Sequence, residues 1–388
     1  MSTIELQISL VLLFALAGYL LSLRINQSAV VGIIIVGIII GPSFLSIIHY
    51  SDAIKMLAHL GAIMLLFAIG LEFRIRDVYQ IKYAAIAFIG IIIPWIAGYL
   101  LGDVFDYAFQ ESMFIGVSLT ATSIAITASV LKEMKKLNTP AARAIIGAAV
   151  IDDVLGLLAL SIAVQSAKEV NLEIMKLFAI AIKAAVFLIA GIFAAPHIKK
   201  LFLKLDEKGI AKEFPGFLFI MSIMFCFLYA SAAEIIGLSA IVGAFLSGAV
   251  LEGIKFRNSK DLKEGAEYLH IIFGAIFFIS LGILVNFKEL TFKVLPFLIA
   301  LNLVAVFTKV VGCGIASRLV RFSKTESLII GFGMSPRGEV AMIVALIGLT
   351  SNIINQDLYV SIVLMSLITT VITPIVIKNL KWKTDNID

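Results

Sequence analysis

Two adjacent carboxylates, Asp152 and Asp153, interrupt the apolar run Ala148-Ala-Val-Ile-Asp-Asp-Val-Leu-Gly156. An aspartate at the centre of a bilayer costs roughly 2.5–3.5 kcal/mol on insertion scales, so two together demand either a use or dedicated partners. Successive helical residues point about 100° apart, so the two carboxyls can have different neighbours. Burial and mutual repulsion favour a proton on at least one of them when no cation is near, and the titration then belongs to the pair. The chemistry open to such a site is competition between a proton and a desolvated monovalent cation. A purely structural pair, satisfied by helix-end donors or a buried ion pair, is the other reading.

Three further groups fall inside apolar stretches. Lys309, in Ala305-Val-Phe-Thr-Lys-Val-Val311, either pairs with a carboxylate, with Asp152 the proposed partner, or snorkels toward the interface beyond Ser317. In Met334-Ser-Pro-Arg-Gly-Glu-Val340, Pro336 removes a backbone donor and Gly338 relaxes the chain, which predicts an unwound stretch carrying Arg337 and Glu339. Those two charges read better as neutralisers of half-helix dipoles than as ion ligands. Thr120, Thr122 and Ser123, in Leu119-Thr-Ala-Thr-Ser-Ile-Ala-Ile-Thr127, offer hard oxygen ligands for a small cation, or are packing hydroxyls of a kind common in membrane helices.

The elements that must position these residues follow from composition. Of 388 residues, 61% are hydrophobic and only 15% charged, well below the roughly 25% charge of a soluble domain. Runs such as Leu10–Leu23 are long enough to approach the ~20 apolar residues that cross a bilayer. Glu5 and the lack of a preceding basic residue argue against a cleaved signal peptide. Apolar runs between charge clusters predict thirteen spans, at 3–23, 28–48, 57–73, 82–102, 112–131, 143–165, 174–195, 215–234, 238–254, 267–286, 294–317, 326–349 and 357–377. The division near Gly237 rests on a single short turn.

Most of the 31 basic residues lie after odd-numbered spans, among them Arg74 and Arg76, Lys132, Lys135 and Lys136, Lys199, Lys200 and Lys204, and Arg318 and Arg321. The positive-inside rule then places the N-terminus outside and the C-terminus in the cytoplasm of a multi-pass protein, expected in the plasma membrane. Cys226 and Cys313 lie in apolar runs and read as buried thiols, not as a disulfide or metal framework. His49, His59, His197 and His270 have no metal-like spacing, and Glu72, Glu234 and Glu252 fall near span ends.

Two segments recur in order at nearly one offset. Ser28-Ala-Val-Val-Gly32 returns as Ser239-Ala-Ile-Val-Gly243, and Gly61–Gly70 resembles Gly274–Gly282. The first match joins the second span to the ninth and the second joins the third to the tenth. A shift by an odd number of spans inverts the copy. The expected fold is therefore an all-α polytopic membrane protein with 13 transmembrane helices. It contains two inverted-topology six-helix repeats, with discontinuous crossing helices at the fifth and twelfth spans. The repeats occupy about 1–165 and 215–377, joined by a linker helix at 174–195 and followed by a short cytoplasmic tail, 378–388, with no soluble regulatory domain expected. Inverted repeats with broken helices at mid-depth characterise secondary transporters.

On Ile151-Asp-Asp-Val154, the Thr/Ser-rich fifth span, Lys309, Arg337-Gly-Glu339 and Gly237–Gly248, the whole chain resembles the monovalent cation:proton antiporter-2 family, bacterial and archaeal Na⁺/H⁺ antiporters included. The resemblance implies a homodimer, with spans 1–3 and 8–10 as scaffold and spans 4–6 and 11–13 as a core moving like an elevator. It implies that Asp153 binds Na⁺ (or Li⁺), that Asp152 contributes more weakly and pairs with Lys309 in one state, and that exchange is electrogenic. No cofactor beyond the transported Na⁺ and H⁺ is expected, no enzymatic activity and no nucleic-acid partner. Potassium-efflux relatives carry a nucleotide-binding domain after the membrane part, which favours Na⁺ over K⁺ here. A K⁺/H⁺ antiporter, a sodium-coupled organic-anion symporter of the same fold, and a channel or membrane sensor are the competing readings; for a channel, no ring or filter of ligands is apparent.

Overall fold

The computed structural model describes residues 4–73, 80–167, 174–207, 213–256, 261–289, 294–380 and 382. Arg74, Arg76 and most of the predicted tail lie outside them, as does the side chain of Glu339. The described residues form helices and connections, with no strand among them. The helices are α1 (Ile4–Arg24), α2 (Ala29–Ile40), α3 (Asp52–Gly70), α4 (Ile81–Val104), α5 (Phe109–Ser118), α6 (Ile124–Glu133), α7 (Pro140–Ala167) and α8 (Ile174–Glu207). They continue as α9 (Phe217–Ile235), α10 (Ala240–Leu251), α11 (Leu262–Ile283), α12 (Leu295–Leu319), α13 (Lys324–Gly333), α14 (Glu339–Thr350) and α15 (Gln356–Asn379). Nine of the described helices are long and apolar enough to cross a membrane, and α2 and α10 are shorter apolar helices.

Several boundaries differ from the sequence expectation for local reasons. The span expected at 28–48 stops at Ile40, because Gly41 precedes Pro42, which has no N–H and disfavours helix at the residue before it. The chain folds back there, with Leu45 N donating to Ile39 O (3.0 Å) and Ile47 N to Ile40 O (2.9 Å). The third span starts earlier than 57, where Ser51 Oγ accepts from Ile54 N and caps α3. The linker expected to end at 195 runs on through Pro196 to Glu207. The short turn near Gly237 is present, and Gly237 has φ +94°, a left-handed conformation that glycine adopts without the Cβ penalty.

The chain divides into two compact units. The first comprises Met1–Tyr19, Ile33–Tyr79 and Glu173–Leu284. Inside it α3 packs against α10 and α11, and α10 against α8 and α9. Two crossings bring backbones together. A Cβ at Gly37 of α2 would strike Ile279 O and come within 3.0 Å of Gly282 Cα. A Cβ at Gly248 of α10 would strike Phe67 O and come within 3.0 Å of Gly70 Cα. Small residues at such contacts let membrane helices approach closely and gain dispersion energy. Gly248→Ala is therefore expected to destabilise this unit by about 1–3 kcal/mol, seen as a lower melting temperature in detergent; unchanged melting would contradict the close crossing.

The second unit comprises Leu20–Gly32, Gln80–Leu172 and Val285–Asp388. Here α4 packs on α12, α5 and α7, and α12 packs on α13 and α15. A core built on Phe114, Leu119, Phe297, Leu301, Ala305, Val344, Leu358 and Met365 fills one part of it. Glu133, closing α6, accepts from Ser28 Oγ (2.6 Å) and Ala29 N (3.0 Å), and so satisfies donors at the start of α2. Asp152, Asp153, Lys309, Thr120, Thr122, Ser123, Arg337 and Glu339 all fall in this unit.

Candidate functional site

Two helix interruptions organise the site. Between α5 and α6, residues 119–123 leave the helix, and between α13 and α14, residues 334–338 do so. The second break follows from Pro336 and Gly338. The first contains neither residue type, and its backbone is held from outside: Ser123 N donates to Pro336 O across the two breaks at 2.9 Å. Thr122 Oγ1 donates to Met334 O (3.2 Å) and Thr127 Oγ1, in the first turn of α6, to Gly333 O (2.7 Å), so side chains of the first break and of the helix after it satisfy carbonyls at the end of α13. The fit is close enough that a Cβ at Gly338 would lie 2.5 Å from Ser123 Oγ.

Arg337 is completely buried, an arrangement that requires partners for its charge and its donors. Its guanidinium donates to Met334 O (3.3 Å), at the C-terminal end of α13 where the dipole is negative, and to Ala305 O (3.0 Å) on α12. The unwound backbone is filled from α15. Thr369 Oγ1 accepts from Arg337 N (3.1 Å), Thr370 Oγ1 donates to Arg337 O (2.7 Å), and Ser366 Oγ lies 3.0 and 3.1 Å from the carbonyls of Arg337 and Gly338. Ser335 Oγ and Thr373 Oγ1 are 2.8 Å apart.

Against this crossing lie the charges of α7 and α12. Lys309 Nζ is 3.0 Å from Asp152 Oδ1 and 3.3 Å from Oδ2, with both side chains buried (0% and 2% exposed). Lys309 thus ends on a carboxylate and not at an interface. Asp153, one residue along α7, is half-buried. Thr120 is buried with its hydroxyl donating to Val117 O at 2.7 Å, a bond within the end of α5. Ser123 Oγ is buried without a hydrogen bond. Glu339 opens α14 by its backbone.

The structure therefore gathers Asp152, Lys309, Thr122, Ser123 and Arg337 into one region of the second unit, with Thr120 turned to its own helix. Sequence reasoning missed the hydroxyl face of α15. Its signal was present: Ser366, Thr369, Thr370 and Thr373 stand at i, i+3, i+4 and i+7 in an apolar helix, the spacing of one face. Thr127, at the end of the same threonine-rich stretch, makes one of the shortest links between the two interrupted helices.

Comparison with known proteins gives concordant results. The family described as sodium/hydrogen exchanger, transmembrane, matches residues 10–383. The Na(+)/H(+)-K(+) antiporter GerN of Bacillus cereus is 33% identical over 378 residues, covering 96% of this chain and 95% of that protein. A Na(+)/H(+) antiporter of Enterococcus hirae is 31% identical over 372 residues, with 95% and 96% coverage. Among solved structures, the sodium proton antiporter MjNhaP1 of Methanocaldococcus jannaschii superposes with a TM-score of 0.73 over 97% of this chain and 96% of that one, at 16% identity. That likeness is one of fold.

Proposed function

Because the chain belongs to the sodium/hydrogen exchanger family, we propose that it exchanges Na⁺ (or Li⁺) for H⁺ across the membrane, with Asp153 as the carrier and the Asp152–Lys309 pair as its coupled neighbour. It is a multi-pass membrane transporter, not an enzyme. The observation that carries the reading is the buried Asp152–Lys309 pair beside Asp153, set where two interrupted helices meet. A carboxylate in this setting serves either ion: it gives a desolvated cation its countercharge, or takes a proton and becomes neutral. The two cannot be bound at full strength together, and that competition is what couples their fluxes. Hydroxyls and carbonyls of Thr122 and Ser123 complete a set of hard oxygen ligands suited to a small cation, with Asp152 as a weaker contributor.

The architecture proposed around this site is a two-fold inverted repeat. Each broken pair, α5–α6 and α13–α14, counts as one crossing, and with α2, α10 and the nine long helices the chain crosses thirteen times, its N-terminus outside and its C-terminus in the cytoplasm of the plasma membrane. The close crossings support the repeat. The spacing that takes Ser28 to Ser239 takes Gly37 to Gly248, and Gly70 corresponds to Gly282. The contact of Gly37 with Gly282 is thus the mate of the contact of Gly248 with Gly70. In this reading the second unit carries the ion site past the first in an elevator-like movement, the protein works as a homodimer, exchange is electrogenic, and no cofactor takes part.

The test is reconstitution in liposomes with a pH-sensitive dye inside, followed by addition of Na⁺, Li⁺ or K⁺ across acid to alkaline pH. Na⁺ and Li⁺ are expected to drive proton movement. Its absence at every pH would sink the antiport reading, and a response to K⁺ alone would favour a potassium/proton exchanger.

A further inference from the structure

Behind the lysine of the ion pair, α4 and α12 approach closely at two residues that the exchange reading does not use. Cys313 lies one turn beyond Lys309 on α12, fully buried, and its thiol donates to Ile86 O of α4 at 3.8 Å. One turn further along α4 is Gly90. A Cβ at that position would lie 2.6 Å from Cys313 Sγ, 3.7 Å from Lys309 Nζ and 3.9 Å from Lys309 Cδ. A distance of 3.7–3.9 Å is ordinary contact, so a methyl group at position 90 is compatible with the lysine. At 2.6 Å it is incompatible with the sulfur where it stands. The thiol occupies the place that any side chain at 90 would need.

We infer that Gly90 is a positioning residue for Lys309: by leaving room for the Cys313 thiol, it lets α12 close on α4 at the level that sets the ammonium 3.0 Å from Asp152. Lys309 has a long, flexible stem, and what fixes its head group is the wall behind it as much as the carboxylate ahead. That wall is the backbone of α4 at Gly90 together with Cys313. Its neighbours keep the same register, for a Cβ at Gly312 would lie 3.4 Å from Ile89 O, so the helices are in contact on both sides of the thiol. Added volume at 90 must therefore be taken up by rotating the thiol, which breaks its bond to Ile86, or by moving α12 and the root of Lys309 with it.

The inference rests on Lys309 and Asp152 being the coupled pair of exchange, so its test is built around Lys309. The pH profile and membrane-potential response of Na⁺-driven proton movement are measured in proteoliposomes for Gly90→Ala, Cys313→Leu, Lys309→Gln and two double variants. Gly90→Ala and Cys313→Leu, which crowd the same space from opposite sides, are expected to move the pH of half-maximal exchange by about half a unit or more, in the direction Lys309→Gln moves it. Adding Cys313→Ala to Gly90→Ala, which removes the sulfur that the new methyl meets, should restore the wild-type profile. Adding Gly90→Ala to Lys309→Gln should produce no further shift. A Gly90→Ala profile superposing on wild type overturns the positioning role, and so does a shift of the same size in the Lys309→Gln background. If Lys309→Gln alone leaves profile and potential response unchanged, the coupled-pair reading has failed and the inference falls with it. Should Gly90→Ala not fold, Cys313→Leu and the rescued double variant decide the matter by the same readouts.

Discussion

Asp153→Asn is expected to lower Na⁺-driven proton movement in proteoliposomes by about 100-fold or more, because a desolvated cation without its countercharge loses several kcal/mol. The amide matches the carboxyl in size, so packing is retained, and Asp153 is only half-buried, which further limits the effect on folding. What disappears is the chemistry. An amide carries no negative charge to hold the cation and takes up no proton in the physiological range, so both halves of the competition fail together. A purely structural aspartate would behave differently, with weakened stability and preserved exchange. Wild-type exchange by Asp153→Asn would remove this residue from the role of carrier. The companion Asp153→Glu keeps the charge and displaces it by one methylene, and should retain measurable exchange with altered cation preference.

Lys309→Gln is expected to cost about 3–5 kcal/mol of stability, because it leaves the Asp152 carboxylate buried without its cation. The double variant Asp152→Asn/Lys309→Gln removes both charges and should recover most of that loss, a non-additivity that reports the pairing directly. The functional consequence is separate. Deleting one positive charge from the unit that carries the site changes the net charge moved per cycle, so the dependence of exchange on an imposed membrane potential should alter in Lys309→Gln. Thermal unfolding in detergent reads the first effect and vesicles clamped by potassium diffusion potentials read the second. Additive stabilities together with an unaltered potential response would show that the pair is neither coupled nor part of the transport charge.

These residues were legible in the sequence because a bilayer makes ionisable groups conspicuous. Asp152, Lys309 and Arg337 stood out as charges in apolar runs, and each is buried with partners in the structure. The break at 334–338 was legible from Pro336 and Gly338. Its counterpart at 119–123 was expected chiefly through the repeat, since Leu119-Thr-Ala-Thr-Ser123 contains no Pro or Gly and its backbone is held by Pro336 O across the crossing. Such tertiary causes leave little local trace. The same holds for Gly90, one glycine among 28 until the position of Cys313 shows why no side chain fits there. The early stop of α2 is legible in principle from Gly41-Pro42, but the apolar run continues through Leu45 and Ile48 and masks it.

The hydroxyl face of α15 has a consequence for hydration. An unwound segment inside a membrane protein ordinarily needs water to satisfy its exposed peptide groups, and such water makes the surroundings more polar. At 334–338 much of that need is met from within: Pro336 has no proton to place, and Ser366, Thr369 and Thr370 occupy the N–H and carbonyl of Arg337 and the carbonyl of Gly338. This half of the crossing therefore needs less water to stay unwound, and the open demand of its side chains is a donor, Arg337 Nε, buried without a hydrogen bond. The other half keeps an open demand at the Ser123 hydroxyl, buried and without a hydrogen bond. A cation shedding its solvent would thus find its free oxygen on the side of the crossing formed by α5 and α6, since a guanidinium N–H offers it nothing.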